Sequence, residues 1–182
     1  MRVYFVGAHS TGKTTLARYV SNEYQCPMIT EVARMVLSEK EMHLDALRYD
    51  LDEVDFYQRE IFHRQIEEEK RYPDFVSDRS FLDCLAYSAQ HTRILTELLK
   101  DPKVETQLEI MKAPGSYIFF VRPSKATLKA DGVRETPIWD GVVAIDSMIK
   151  FMLEMWKLKY FQIHIDNMQE RVRLVDNVIS HR

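Results

Sequence analysis

The sequence predicts an α/β protein built on an open parallel sheet with right-handed crossovers, and three observations carry the prediction. Short apolar runs alternate with longer stretches whose apolar residues recur at helical spacing. Tight loops marked by glycine or proline separate the two kinds of segment. One run, residues 117–121, is apolar or aromatic throughout, as expected of a central strand covered on both faces by helices. At 182 residues, 46% hydrophobic and 29% charged, the chain has the size and balance of one globular domain spanning 1–182.

The elements can be justified in order. Residues 3–6 form a first strand ended by Gly7, and Leu16, Ala17, Val20 and Tyr24 then mark a helix. Pro27 breaks the chain, Met28 and Ile29 supply a brief second strand ending near Thr30, and Val32, Met35 and Val36 begin another helical face. From 51 to 71, Leu51, Val54, Ile61, Phe62 and Ile66 mark a long amphipathic helix, whose charged last turn, 67–71, reads as a solvated face. Pro73 stops that helix, and 75–77 form a third strand ending at Asp78. Phe81, Leu82, Leu85, Ala86 and Ala89 open the next helix. Leu95, Leu98, Leu99, Val104, Leu108 and Met111 extend the helical region to Pro114-Gly115.

After the central strand the composition changes. Residues 122–140 carry Arg122, Lys125, Lys129 and Arg134 among Pro123, Pro137 and Asp131-Gly132, the signature of a mobile basic loop. Asp140 reads as the N-cap of a helix bearing Val142, Ile145, Ile149, Met152 and Trp156. A fifth strand over 160–165 alternates Phe161, Ile163 and Ile165, and a last helix carries Val172, Val175 and Ile179.

Bulk properties narrow the function classes. A formal net charge of -3 exerts no general pull on polyanions, so a nucleic-acid partner is disfavoured. Cys26 and Cys84 fit no zinc spacing and suggest buried thiols in a reduced, cytoplasmic protein. The opening MRVYFVG is too short for a signal-peptide core, and no apolar run reaches the roughly 18 residues of a membrane span, so no membrane partner is expected. A homodimer stays open.

Gly7-Ala8-His9-Ser10-Thr11-Gly12-Lys13-Thr14 matches G-x-x-x-x-G-K-[ST] in full, directly after a predicted strand and before a predicted helix. In such a loop glycines let backbone N–H groups turn inward around phosphate oxygens, and the helix N-terminus adds partial positive charge. Lys13 then bridges the β- and γ-phosphates, and the Thr14 hydroxyl ligates Mg²⁺. His9 is expected to be a spacer or supporting donor rather than a catalytic base.

A phosphate loop of this kind works with an acid at a nearby strand end, and Asp78 is the candidate, with Arg79 beside it to contact phosphate oxygens. The plainer reading makes Asp78 the N-cap of the following helix. Glu31 and Arg34 follow the second strand one helical turn apart, at the sheet edge where ligands of open α/β folds bind. Glu31 suits the proton of an acceptor hydroxyl and Arg34 suits the acceptor or a transferring phosphate, although an i,i+3 pair also fits a surface ion pair. Arg134 in the basic loop, with Arg122 at its hinge, would fold over the phosphates and exclude water, unless the loop is simply solvated.

In these residues the chain resembles the nucleoside and nucleotide kinase branch of P-loop proteins, most closely the kinase domain of bacterial nicotinamide riboside kinases. The resemblance rests on GAHSTGKTT, TEVARMVL, DEVDFYQREIF, DRS and DGVR, in the expected order along most of the chain. It implies a three-layer α/β/α P-loop NTPase fold with a five-stranded parallel sheet and a lid at about 122–140. It also implies ATP and Mg²⁺ as cosubstrates, and an acceptor held between the lid and the helices after strands two and three. By the same resemblance Glu31 is the acceptor-side carboxylate and Asp78 the strand-end acid. Asp166 and Arg171 border the adenine ring, completing a nucleotide side with Gly7, His9, Ser10, Thr11, Gly12, Lys13, Thr14 and Thr15.

Two features point to different acceptors. Ser10 stands where thymidylate and adenylate kinases generally carry a third glycine, which favours the nicotinamide-riboside-like group. Asp78-Arg79-Ser80 is instead similar to the acid-Arg-Ser signature of deoxynucleoside kinases and the Asp-Arg motif of thymidylate kinases. The adenylyltransferase domain that accompanies some nicotinamide riboside kinases is not expected here. The expected activity is transfer of the γ-phosphoryl group of ATP to a small nucleoside-like or nucleotide acceptor. The alternatives are a nucleotide-dependent switch without an acceptor, and a kinase acting on a nucleic acid end or modified DNA base.

Overall fold

In the computed structural model, which describes residues 1–30, 32–39, 50–125 and 139–180, five parallel strands form one sheet in the order β2-β3-β1-β4-β5. The strands are β1 (Arg2–Val6), β2 (Met28–Ile29), β3 (Phe75–Asp78), β4 (Ser116–Val121) and β5 (Phe161–Ile163). Between them lie α1 (Lys13–Glu23), α2 (Val32–Glu39), α3 (Leu51–Lys70), α4 (Phe81–His91), α5 (Leu95–Leu99), α6 (Pro102–Lys112) and α7 (Trp139–Met155), with α8 (Met168–Ser180) last. The expected α/β architecture is therefore present, with β4 an interior strand between β1 and β5.

Side-chain alternation along the strands builds the three layers. Tyr4 and Val6 of β1 with Ile118 and Phe120 of β4 face a core filled from α2 through α7, including Phe62, Ile66, Leu82, Leu85 and Ile149. Val3 and Phe5 with Tyr117, Phe119 and Val121 face the other way, onto Leu16, Val20, Val175 and Ile179 of α1 and α8. Both faces of β1 are fully buried, which accounts for its nearly unbroken apolar run. The register Phe5↔Asp78 and Val6↔Phe120 brings the C-terminal ends of β1, β3 and β4 to one edge, where the loop after β1 begins.

Several boundaries differ from the sequence expectation, each for a local reason. The helical region after Phe81 is three helices: Thr92 ends α4 in an extended conformation, and Asp101 with Pro102 restarts the chain as cap and first residue of α6. Asp140 lies within the first turn of α7, which begins at Trp139, rather than capping it. β5 is confined to Phe161–Ile163, and Phe161 is substantially exposed, because β5 is an edge strand. The charged end of α3 is not wholly solvated: Glu68 and Glu69 are buried, and the Gln65 amide donates to both Glu69 and Ser77 at 2.8 and 3.0 Å. Asp50, outside the predicted helix, caps α3 by accepting from the Asp52 and Glu53 N–H groups.

Candidate functional site

The phosphate-loop motif leaves β1 in a conformation its glycines make possible. Gly7 has φ +148°, and a Cβ there would lie 2.3 Å from the Val121 carbonyl oxygen, so the loop passes against the end of β4 where no side chain fits. Gly12 (φ +91°) is the residue from which α1 starts. Ser10 also has positive φ, at +58°, so this non-glycine position of the loop is left-handed.

Inside the loop the buried Lys13 Nζ donates to the Ala8 carbonyl at 2.5 Å and to Thr11 Oγ1 at 3.3 Å. The Thr11 hydroxyl donates to the same carbonyl at 3.0 Å. Thr14 Oγ1 donates to Asp78 Oδ2 at 2.5 Å, joining the first turn of α1 to the end of β3. The strand-end acid thus meets the loop threonine. The hydroxyl and carboxylate are hard oxygen donors of the kind that hold Mg²⁺.

Asp78 does not cap α4; Ser80 does, and Asp83 closes the capping box. Asp83 is also the residue that sequence reasoning missed. Its carboxylate, 1% exposed, accepts from the Gly7 N–H at 3.0 Å and the Ser80 N–H at 2.9 Å, with Arg79 at 3.8 Å. Burial pushes this carboxyl up from the ordinary range, against the charges of Arg79 and Lys13 and the Gly7 and Ser80 N–H groups. Its signal was the S-x-x-D pattern of 80–83, a capping box opening a helix. One turn on, the Tyr87 hydroxyl accepts from the His9 N–H at 3.1 Å and meets His9 Nδ1 at 2.8 Å. Helix α4 therefore grips the loop at Gly7 and at His9. Arg79, at φ +98°, holds its guanidinium 5.2 Å over the Tyr87 ring, and its N–H donates to the Phe5 carbonyl. A long side chain at that φ is strained backbone at the edge of the site.

A second support comes from α8. Arg171, 1% exposed, donates through Nη1 to the Thr11 carbonyl at 2.5 Å and through Nε to the Ile165 carbonyl. Its Nη1 and Met168 Cε also lie just over 3 Å from where a Gly12 Cβ would be. Burial draws the guanidinium pKa down, opposed by exposed Asp166. Arg122 forms a two-point ion pair with buried Asp146, Nε to Oδ1 at 2.9 Å and Nη2 to Oδ2 at 2.7 Å, and lies over the Phe120 ring. Thr14 and Thr15 are exposed in the first turn of α1. The structure thus brings Gly7, His9, Thr11, Gly12, Lys13, Thr14, Asp78, Arg79 and Arg171 into one connected group. Glu31, the Arg34 side chain and Arg134, with most of the expected lid, fall outside the described residues.

The model of an AAA domain family, AAA_28, matches residues 2–171. The chain belongs to that family. No curated protein matches the sequence. Among solved structures, this AAA_28 chain is similar to deoxyadenosine kinase from M. mycoides with dCMP and dCDP bound, at 12% identity and TM-score 0.70, covering 100% of both chains. It is similar to NadR protein in complex with NR, at 17% identity and TM-score 0.75, covering 100% of this chain and 52% of that one. Shikimate kinase from Acinetobacter baumannii with shikimate follows at 11% identity and TM-score 0.59, covering 98% and 92%. At these identities the likeness is one of fold, and the AAA_28 chain shares the α/β architecture of these structures. Among the described residues no helix is long and apolar enough to cross a membrane.

Proposed function

We propose that the protein transfers the γ-phosphoryl group of Mg-bound ATP to a small nucleoside-like or nucleotide acceptor, acting as a single kinase unit. The observation that carries this reading is the convergence of Lys13, Thr14 and Asp78 on one glycine-shaped loop at the N-terminus of α1. In the reading, backbone N–H groups from Ser10 to Thr15 and the α1 dipole hold the β-phosphate, and the Lys13 ammonium exchanges the Ala8 carbonyl for phosphate oxygens. Thr14 and Asp78 would hold Mg²⁺, which would supply charge neutralisation at the phosphates. His9, fixed by Tyr87, keeps the loop open toward the γ-phosphate.

On the acceptor side Glu31 takes the proton of the attacking hydroxyl while the new O–P bond forms and the bond to the β-phosphate oxygen breaks, releasing ADP. Arg34 and Arg79 orient the acceptor, and Arg134, with Arg122 at the hinge, covers the phosphates and keeps water from competing. Asp166 borders the base of ATP, and Arg171, buried beneath the phosphate loop, supports that loop through the Thr11 carbonyl. The deoxynucleoside-kinase-like Asp78-Arg79-Ser80 favours a nucleoside over a sugar acid as acceptor.

The test is product chemistry. Protein, Mg-ATP and a mixed panel of nucleosides and nucleoside monophosphates are incubated and the products read by mass. One acceptor is expected to gain a phosphoryl group with stoichiometric ADP, and Lys13→Ala is expected to lower the rate at least about a hundredfold. Absence of acceptor-dependent ADP release across the panel would sink the reading.

A further inference from the structure

The phosphate loop and Arg79 share two supports, and both stand on α4. Asp83 accepts from the Gly7 N–H at 3.0 Å and lies 3.8 Å from Arg79 Nη1. One turn on, the Tyr87 hydroxyl accepts from the His9 N–H at 3.1 Å, and the Tyr87 ring carries the Arg79 guanidinium 5.2 Å from its centroid. Each side chain therefore touches both the loop and Arg79. They differ in freedom. Asp83 is almost fully buried and holds Gly7, whose backbone is wedged against β4, whereas Tyr87 is only half-buried and holds the loop further along. Asp83 is the fixed support and Tyr87 the movable one.

The peptide unit that Tyr87 holds is also held from its other side. The Ala8 carbonyl and the His9 N–H belong to one rigid plane. On its carbonyl edge this plane accepts from Lys13 Nζ at 2.5 Å and from the Thr11 hydroxyl at 3.0 Å. On its N–H edge it donates to Tyr87. Lys13 is the group that the kinase reading assigns to the β- and γ-phosphates, so a phosphate oxygen competes with the Ala8 carbonyl for the same ammonium. Removing a charge-assisted bond from one edge of a rigid plane changes its tilt, and the N–H on the other edge turns with it. The Tyr87 hydroxyl, which also meets His9 Nδ1 at 2.8 Å, follows that N–H. The ring then shifts under Arg79. Arg79 is 8% exposed, so a small displacement of its guanidinium decides how much of it an acceptor meets.

We propose that Tyr87 is a positioning residue that sets Arg79 according to whether the phosphate loop holds a nucleotide, the signal passing from Lys13 through the Ala8–His9 peptide to the Tyr87 hydroxyl. The inference rests on the kinase reading for its two ends, Lys13 on phosphate and Arg79 on the acceptor. Its consequence is that the acceptor binds more tightly once Mg-ATP is in place. Coupling between two sites is typically worth about 5–150-fold in affinity. The element that both sites bias is one peptide plane, with the Lys13 ammonium either on its carbonyl or on phosphate.

The experiment follows the Arg79 Nε–H signal by NMR in the full chain, assigned by its loss in Arg79→Lys, as Mg-AMP-PNP is added. A saturable shift is expected. Tyr87→Phe, confirmed folded by thermal unfolding, keeps the ring contacts with Arg79 and His91 but removes the hydroxyl. It is expected to lose most of the shift while still binding Mg-AMP-PNP. His9→Ala keeps the backbone N–H that Tyr87 holds and is expected to retain the shift. A shift that Tyr87→Phe leaves intact would overturn the proposal, because Arg79 then responds to the nucleotide without Tyr87. So would an Arg79 signal that does not move at saturating Mg-AMP-PNP. In turnover with the acceptor that the product panel identifies, Tyr87→Phe is expected to raise the acceptor KM at saturating Mg-ATP at least about fivefold and the Mg-ATP KM less. An unchanged acceptor KM would count against the relay. If no acceptor on the panel gains a phosphoryl group, the kinase reading fails, and the Arg79 signal still decides whether Tyr87 links it to the loop.

Discussion

At Gly7 the difference between a glycine and any other residue is a single methyl group with nowhere to go, 2.3 Å from a backbone oxygen of β4 and at a φ that L side chains rarely adopt. Gly7→Ala is expected to cost more than about 3 kcal/mol, measured by urea unfolding, because backbone rather than a flexible side chain must yield. Ser10→Gly is the contrast. The left-handed φ costs serine about 1 kcal/mol and glycine's added unfolded-state freedom costs about the same, so stability should change by less than about 0.5 kcal/mol. Both glycines of the motif, Lys13 and Thr14 were legible in sequence because the spacing itself encodes the loop, and Asp78 was a candidate because it ends a short apolar strand. Arg79's strained φ was not legible, since dihedral strain leaves no mark on composition. The inward turn of Arg171 was equally hidden: the resemblance implied a place beside the adenine ring, and its bond to the Thr11 carbonyl is a matter of three-dimensional approach.

Helix α4 is more than packing for β1, because two of its side chains one turn apart, Asp83 and Tyr87, hold the backbone of the phosphate loop. Asp83→Ala leaves the buried Gly7 and Ser80 N–H groups without their acceptor. It is expected to cost about 2–4 kcal/mol in urea unfolding and to weaken ATP binding measured by calorimetry. Helix α3 carries its own consequence. Its end read as solvated because charges cluster there, yet Glu69 turns inward beneath β3 where Gln65 bonds it. Burial raises the Glu69 carboxyl from 4.5 to about 8, so the folded state holds a proton that the unfolded chain releases between those values. Its contribution is therefore fully present below about pH 4.5 and is lost as pH rises to about 8, at about 1.4 kcal/mol per pH unit at most. Glu69→Gln should flatten that part of the stability–pH curve, which urea midpoints from pH 5 to 8 would reveal; an unchanged slope would assign the pH dependence elsewhere. Periodicity predicted that α3 exists and which apolar face it buries, but amphipathic spacing alone cannot say which single carboxylate in a charged turn the sheet will cover.

For the molecule as a whole, the alternation of strands and helices was sufficient to predict a parallel sheet. The order β2-β3-β1-β4-β5 was not legible in the same way: residues 117–121 read as the central strand, yet β1 takes the middle and β4 lies beside it, because β1, β3 and β4 are all buried on both faces and burial alone does not order them. The reading of two buried thiols divides. Cys84 is enclosed in the core, where burial raises its pKa far above the ordinary thiol value, whereas Cys26 is only half-buried beside Tyr24. A thiol reagent at neutral pH should label Cys26 within minutes and Cys84 only at the rate of global unfolding, so peptide mapping of labelled protein reports both. Fast labelling of Cys84 would mean that α4 opens independently of the sheet.

The Arg171–Thr11 bond spans 160 residues, and it sets an order of events during synthesis. All eight residues of the phosphate-binding motif are synthesised well before the guanidinium that braces the loop from beneath, which follows about 160 residues later. A nascent chain lacking α8 carries an intact motif on an unbraced loop. On the proposed reading, strong nucleotide binding is acquired only once α8 has been made, and a bound nucleotide would stabilise only chains in which α1 and α8 have met.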